Sequence, residues 1–192
     1  MPSHAEFPIE GGCVCGNVRY RMETAPIFVH CCHCRCKIYN EVKADRLRLT
    51  DESQGCQRES GSAFALNAFL EFDRVSHLKE EPELILIPSE SGAGQKMARC
   101  RNCKIAVWSN YCAGGGPFLR SIRVGTLDLP DQITPDIHIY VATKQPWVIL
   151  PQGTPAVEEF YKMEEFWPAD SLERFKVLKP QIEAYHRGQQ AG

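Results

Sequence analysis

Ten cysteines in a chain of 192 residues constrain this protein more than any other feature, because eight of them fall into three tight clusters. The clusters are Cys13-Val14-Cys15, Cys31-Cys32-His33-Cys34-Arg35-Cys36 and Cys100-Arg101-Asn102-Cys103, with Cys56 and Cys112 apart. A short secreted domain built on disulfides carries cysteine at roughly 8–10% or more, and this chain does not reach that density. It contains no Asn-x-Ser/Thr sequon, and its opening MPSHAEFPIEGG has neither a basic n-region nor an apolar h-region. The expectation is a reducing compartment, the cytoplasm, in which clustered thiols serve metal binding or catalysis.

In extended chain, residues i and i+2 project to the same face. Cys13-x-Cys15 therefore aims two sulfurs at one point and is poorly placed to close on itself. Cys100-x-x-Cys103 lies between two expected strands, as on the knuckle of a hairpin. Thiolates in such pairs suit zinc, which takes four soft ligands in a tetrahedron. Cys13, Cys15, Cys100 and Cys103 make one complete set, tying the first strand to a hairpin more than 80 residues later. A structural zinc of this kind contributes ~10–16 kcal/mol of apparent free energy, against a net domain stability of roughly 5–15 kcal/mol. The alternative reading is four buried thiols packed as small hydrophobes. In the middle cluster Cys32 and Cys34 form a second Cys-x-Cys pair, and Cys31, Cys36 and Cys56 compete for the next ligand place. Three thiolates with an open fourth position describe a reactive zinc. The alternatives are a second structural site or metal-free, redox-sensitive thiols.

The rest of the chain reads as one mostly β domain with a short C-terminal helix. Val18 to Met22 alternates strictly, and Ala63 to Phe72, Glu83 to Pro88, Ile105 to Ser109, Phe118 to Val124 and Ile137 to Ala142 read as strands. Gly114-Gly115-Gly116-Pro117 reads as a turn. Ser171 is placed to cap a short helix over Leu172 to Leu178, which Pro180 should limit. The expected organisation is a tail over 1–10, a zinc domain over 11–150 and an extension over 151–192. With 22 Lys plus Arg against 24 Asp plus Glu, the net charge is −2. That balance argues against nucleic acid or an anionic membrane as partner, and no apolar run approaches the 18 residues of a membrane span. Oligomeric state is not legible.

Taken together, Gly11-Gly12-Cys13-Val14-Cys15-Gly16-Asn17-Val18-Arg19-Tyr20, Cys32-His33-Cys34, Cys56-Gln57-Arg58-Glu59-Ser60-Gly61-Ser62-Ala63-Phe64 and Arg99-Cys100-Arg101-Asn102-Cys103 resemble the glutathione-dependent formaldehyde-activating enzyme family. That family shares its domain with centromere protein V and has an Mss4-like β fold. His138-Ile139-Tyr140, Lys144 and Trp147 look like its later segment. The resemblance implies two zinc sites: a structural one on Cys13, Cys15, Cys100 and Cys103, and a second on Cys32, Cys34 and Cys56. It also implies carbon–sulfur lyase chemistry on a glutathione-like thiol adduct, the name-giving reaction joining formaldehyde to glutathione as S-hydroxymethylglutathione. The resemblance assigns no catalytic residue. A non-catalytic, zinc-stabilised binding module is the alternative.

One departure stands out. The family's second motif reads Cys-x-Cys-x-x-Cys, whereas 21 residues separate Cys34 from Cys56 here. Deleting 19 of them restores the motif, and 19 codons, or 57 nucleotides, is the length of a short intron kept in frame. The expectation is that 36–55 is an insertion or a gene-model artefact that leaves the domain as a loop, with Cys56 rather than Cys36 as third ligand. Ser60 and Ser62 are candidate hydrogen-bond donors beside the site, and Arg58 or Lys144 candidate partners for a substrate carboxylate. For each, an ordinary turn or surface role is the competing reading. His138 reads as a structural histidine, Cys31 and Cys112 as buried thiols, and Arg99 and Arg101 as solvent flanks of the knuckle.

Overall fold

Strand alternation in this chain is two-sided, and the fold follows from it. The computed structural model describes residues 5–35, 55–89 and 91–190. In chain order the elements are β1 (Ile9–Gly12), β2 (Arg19–Met22), β3 (Phe28–Cys32), α1 (Cys56–Ser60), β4 (Ala65–Glu71), β5 (Val75–His77), β6 (Glu83–Ile87), β7 (Gln95–Arg99), β8 (Ala106–Tyr111), β9 (Leu119–Arg123), β10 (Ile137–Ile139), α2 (Met163–Phe166) and α3 (Ala169–Gln190). The protein is mostly β, as the sequence indicates. One sheet has seven strands in the order β10-β3-β4-β9-β8-β7-β6, and a second has three in the order β1-β2-β5. All pairings are antiparallel except β10 on β3, which is parallel.

Each face of the large sheet buries its own core. On one face Val29, Ala68, Leu70, Ala98, Trp108 and Ile122 pack with Tyr20, Met22 and Val75 of the small sheet. Tyr20 meets Trp108 edge to face at 5.6 Å, a geometry aromatic pairs favour beyond the area they bury. On the other face Phe28, Cys32, Leu119, Ile137 and Ile139 pack with Trp167, Leu178 and Ile182 from the C-terminal segment. Trp167, Leu178 and Ile182 thus belong to this core.

The last helix begins at Ala169, before the Ser171 expected to cap it, and does not stop at Pro180, which lies inside it. Proline removes one i→i−4 hydrogen bond and ordinarily costs ~3 kcal/mol in a helix interior. Here Leu178 and Ile182, one turn apart and on the buried side, anchor the helix on both sides of an exposed proline. Burial of two large side chains, at roughly 1.5–3 kcal/mol each, outweighs the loss. Ser171 does not cap the helix; its buried hydroxyl donates to the Ile27 carbonyl at 2.6 Å. Further along, Tyr185 lies against Gly116, whose φ is +54° and where a Cβ would stand 2.9 Å from the ring. The expected loop over 36–55 lies, but for Gly55, outside the described residues. No helix among those described is long and apolar enough to cross a membrane.

Candidate functional site

The four cysteines grouped by spacing come together at the edge of the two sheets. Cys13 and Cys15 leave β1, while Cys100 and Cys103 sit on the tight connection from β7 to β8, where Lys104 takes a positive φ of 62°. Their sulfurs lie within 4.8 Å of one another, with Cys13 Sγ 3.5 Å from Cys15 Sγ and Cys15 Sγ 3.6 Å from Cys100 Sγ. Those are the edges of a tetrahedron of thiolates on a metal at ~2.3 Å. Backbone amides face the sulfurs. The Val18 N–H donates to Cys13 Sγ at 3.3 Å. The Asn17 amide brings the Cys15 thiol down to about 6, and the Ile105 amide lowers that of Cys103. Amide hydrogen bonds favour the charged form at Cys15 and Cys103, whereas burial pushes the Cys100 thiol up to about 11.

The second set is built by β3. Residues 30, 32 and 34 share one face of the chain, and 29, 31 and 33 the other. Cys32 and Cys34 therefore point the same way, and Cys56 joins them, all three sulfurs within 4.8 Å. The return of Cys56 across the long insertion is visible in the backbone. Its N–H donates to Cys34 Sγ at 3.1 Å, and the Gln57 N–H to the Cys34 carbonyl at 3.2 Å. Gln57 is buried and donates to the carbonyls of His33 (2.7 Å) and Thr143 (3.0 Å), while Gln145 donates to its Oε1 (2.9 Å). That clamp fixes α1 and with it Cys56. Cys36 lies outside the described residues.

The three sulfurs open into a cavity of about 500 Å³. Sheet register sets its polar floor: His30 on β3 stands opposite Asn67 on β4, which stands opposite Arg123 on β9. Arg123 donates to Asn67 Oδ1 at 2.6 Å. Without a metal between them, three sulfurs this close do not all ionise. Cys56 takes the charge, held well below its ordinary value by hydrogen bonds from Cys32 and Cys34 and by the Arg123 guanidinium, while Cys32 is pushed up by its two sulfur neighbours. His30 is buried, and burial pulls it down to about 3. Its Nε2 is 2.5 Å from the Tyr161 hydroxyl, which accepts from Trp167 Nε1 at 2.7 Å. Where Tyr161 donates onward, His30 Nε2 accepts and Nδ1 carries the proton; where His30 Nε2 donates, Nδ1 is bare. That Nδ1 has no partner among the described residues.

Directly behind this set, on the other side of β3, lies a third group. The parallel register puts Cys31 beside His138, and Cys31, His33 and His138 offer ligand atoms within 4.8 Å of one another. His33 Nε2 is 3.0 Å from His138 Nδ1 and 3.6 Å from Cys31 Sγ. All three are buried. Burial, and then the neighbouring His138, takes His33 down to about 4. The outer nitrogens, His33 Nδ1 and His138 Nε2, have no partner among the described residues. A ligand histidine is almost always held by its second nitrogen, so this trio has suitable donors but lacks that support.

Other residues singled out from sequence have different work. The Ser60 hydroxyl donates to the Cys56 carbonyl at 2.7 Å and accepts from the Ser62 N–H at 3.2 Å, closing the turn after α1. Lys144 is spent on the carbonyls of Val148 (2.7 Å) and Gln145 (3.2 Å). Arg58, Ser62 and Arg101 are exposed, and Cys112 is buried. Arg99 is not a solvent flank: it pairs with Glu59 and so links the Cys100–Cys103 hairpin to the helix that carries Cys56. Sequence reasoning passed over His30, Asn67 and Arg123. The period-2 pattern His30-Cys32-Cys34 was a signal for the first, but the other two need the strand register.

Residues 37–143, more than half of the chain, match the profile of the glutathione-dependent formaldehyde-activating enzyme family. The chain belongs to that family. In this member the matched stretch holds Cys56, Cys100, Cys103 and His138, while Cys13, Cys15, Cys32 and Cys34 precede it. Family membership goes with glutathione-dependent formaldehyde activation in general and with glutathione and formaldehyde as small-molecule partners. No curated protein matches the chain. A crystal structure of a Rhodobacter sphaeroides protein is similar, with 18% identity and a TM-score of 0.41, covering 62% of this chain and 88% of that one.

Proposed function

We propose that this protein is a zinc-dependent carbon–sulfur lyase that makes and breaks thiol–aldehyde adducts at Cys32, Cys34 and Cys56, S-hydroxymethylglutathione being the adduct the family suggests. The observation that carries this reading is the meeting of three sulfurs at the wall of a ligand-sized cavity, across an insertion that separates two of them in sequence. An all-sulfur donor set selects a soft, tetrahedral metal. Zinc held by these three residues would supply Lewis acidity, favouring thiolate over thiol and polarising the aldehyde oxygen.

The chain's own groups account for the remainder. In the forward direction the thiol gives up its proton, a carbon–sulfur bond forms, and the carbonyl π electrons move to oxygen, which takes a proton; the reverse breaks the same bond. His30, neutral across the physiological range, lines the cavity as an uncharged ring with its Nδ1 itself buried. Arg123 holds negative charge at Cys56 and is itself oriented by Asn67. Cys13, Cys15, Cys100 and Cys103 hold a second, structural zinc. A reducing, cytoplasmic setting goes with thiols kept for metal.

The test is exchange of formaldehyde between free and glutathione-bound pools, followed by NMR with the zinc-loaded protein. Cys56→Ser is expected to abolish the enhancement while keeping the wild-type circular dichroism. An exchange rate unchanged in Cys56→Ser overturns the assignment. The binding-module reading predicts no enhancement by either protein.

A further inference from the structure

The cavity beside Cys32, Cys34 and Cys56 is larger and less polar than a one-carbon aldehyde requires. Glutathione, the family's thiol, carries two carboxylates and an ammonium, which call for fixed opposite charges. Among the described residues lining the cavity the one charged side chain is Arg123, already engaged by Asn67 and Cys56. Among the described residues no aspartate, glutamate or lysine lines it. Three serines line it: Ser109 stands opposite Ser121 and accepts from Gln95 at 2.6 Å, and the Ser89 hydroxyl is 3.0 Å from that of Ser91.

Against that floor stands an apolar wall. Phe69 and Leu119 come from the large sheet, and Phe160, Met163, Trp167 and Phe175 from the C-terminal segment. These last four lie beyond the stretch that matches the family, which ends at residue 143. Four of the wall's six side chains therefore come from outside the matched stretch. Its parts are held for the purpose. Trp167 stacks on Phe28 at 5.5 Å, and Phe175 meets Trp167 edge to face at 5.4 Å. Phe160, stacked on Tyr161 at 4.9 Å, stays 52% exposed at the mouth.

We infer that the adduct handled here carries an aromatic ring or an alkyl chain of roughly six to eight carbons, seated against Phe160, Met163, Trp167 and Phe175, with its carbon–sulfur bond at the cysteine trio. This rests on the lyase reading for the chemistry but on the wall alone for the ligand. The apolar group belongs to the aldehyde or to the thiol, and either places it beside the same sulfur.

Binding tests the wall without turnover. With the zinc-loaded protein, S-octylglutathione and S-benzylglutathione are expected to bind at least tenfold tighter than S-methylglutathione by titration calorimetry. In Phe160→Ala, and independently in Phe175→Ala, that ratio should fall to threefold or less while zinc content stays at the wild-type value. Equal affinities for the three thioethers, or a ratio unmoved in both variants, overturns the inference. Kinetics then assign the source. Octanal or phenylacetaldehyde outperforming formaldehyde with glutathione places the group on the aldehyde, and benzyl mercaptan outperforming glutathione with formaldehyde places it on the thiol. Selective binding with no turnover of any pair would leave this inference standing and remove the lyase reading, whereas turnover best with formaldehyde and glutathione would do the reverse.

Discussion

Two sulfur clusters of the same donor type sit in this fold, and their surroundings differ in every respect that decides use. The quartet of Cys13, Cys15, Cys100 and Cys103 is formed by two connections at a sheet edge, with backbone amides directed at the sulfurs. It has four ligands and no room for a fifth partner in a tetrahedron. The trio of Cys32, Cys34 and Cys56 is formed on a strand and a short helix, faces a cavity, and has an arginine near Cys56 as well as the Cys56 amide directed at Cys34. Closed sulfur sets built from turns stabilise a fold, and open sets on rigid elements expose a coordination place to a ligand.

The comparison breaks most visibly at the quartet. Cys100→Ser should cost the greater part of ~10 kcal/mol of metal-linked stability, leaving no cooperative thermal transition and less metal by mass spectrometry. Cys56→Ser should lose one equivalent of metal while its thermal midpoint moves by no more than about 5 °C, a shift of the order of 1–2 kcal/mol in a domain this size. If both variants unfold, the trio is structural too and the contrast fails.

Removing residues 36–54 joins Arg35 to Gly55 and restores the short motif. Closing a loop of about 20 residues costs on the order of 2 kcal/mol more than closing one of two, so the shortened chain should be that much more stable in urea, with unchanged metal stoichiometry. Loss of one metal on deletion would show that the insertion supplies part of the site.

A pH series sharpens the description of the trio's side. His30 sits at about 3 folded and near 6.5 unfolded. Between those values the unfolded chain binds a proton that the folded one refuses, so stability rises with pH. From pH 6.5 downward, each buried histidine of this kind should steepen the loss by up to about 1.4 kcal/mol per pH unit. His30→Gln should flatten the curve by one proton, and an unchanged slope would mean that His30 is charged in the fold.

The smallest effect is expected behind β3. Because the outer nitrogens of His33 and His138 lack partners, Cys31→Ser should leave metal content unchanged and cost about 1 kcal/mol. Loss of one equivalent there would make the trio of Cys31, His33 and His138 a metal site in its own right.

Much of this was legible in the sequence, for stated reasons. Local spacing groups Cys13 with Cys15 and Cys100 with Cys103, strict alternation finds β2, and short apolar runs find β4 and β9. What spacing cannot supply is pairing. That Asn67 lies between His30 and Arg123, or that His138 lies beside Cys31, depends on register between strands far apart in the chain. The helix through Pro180 was misjudged because propensity is local and the burial of Leu178 and Ile182 is not. The aromatic wall was invisible for the same reason: Phe160, Trp167 and Phe175 show no periodicity until a sheet face lies under them.

Strand β3 also sets what lengths of chain this protein can tolerate. Its odd and even positions carry different chemistry: His30, Cys32 and Cys34 face the cavity, while Cys31 and His33 face the opposite core. One residue added between Phe28 and Cys32 would exchange the two sets, since a single-residue slip turns every side chain to the other face. Nineteen residues added after Arg35 leave the parity of β3 untouched, because pairing has ended at Cys32 and the chain re-enters at Gly55 beside Cys34. Tolerance to insertion thus changes within a few residues from none to nearly unlimited. Length variants of this domain should accumulate on the far side of Cys34 and be absent before it.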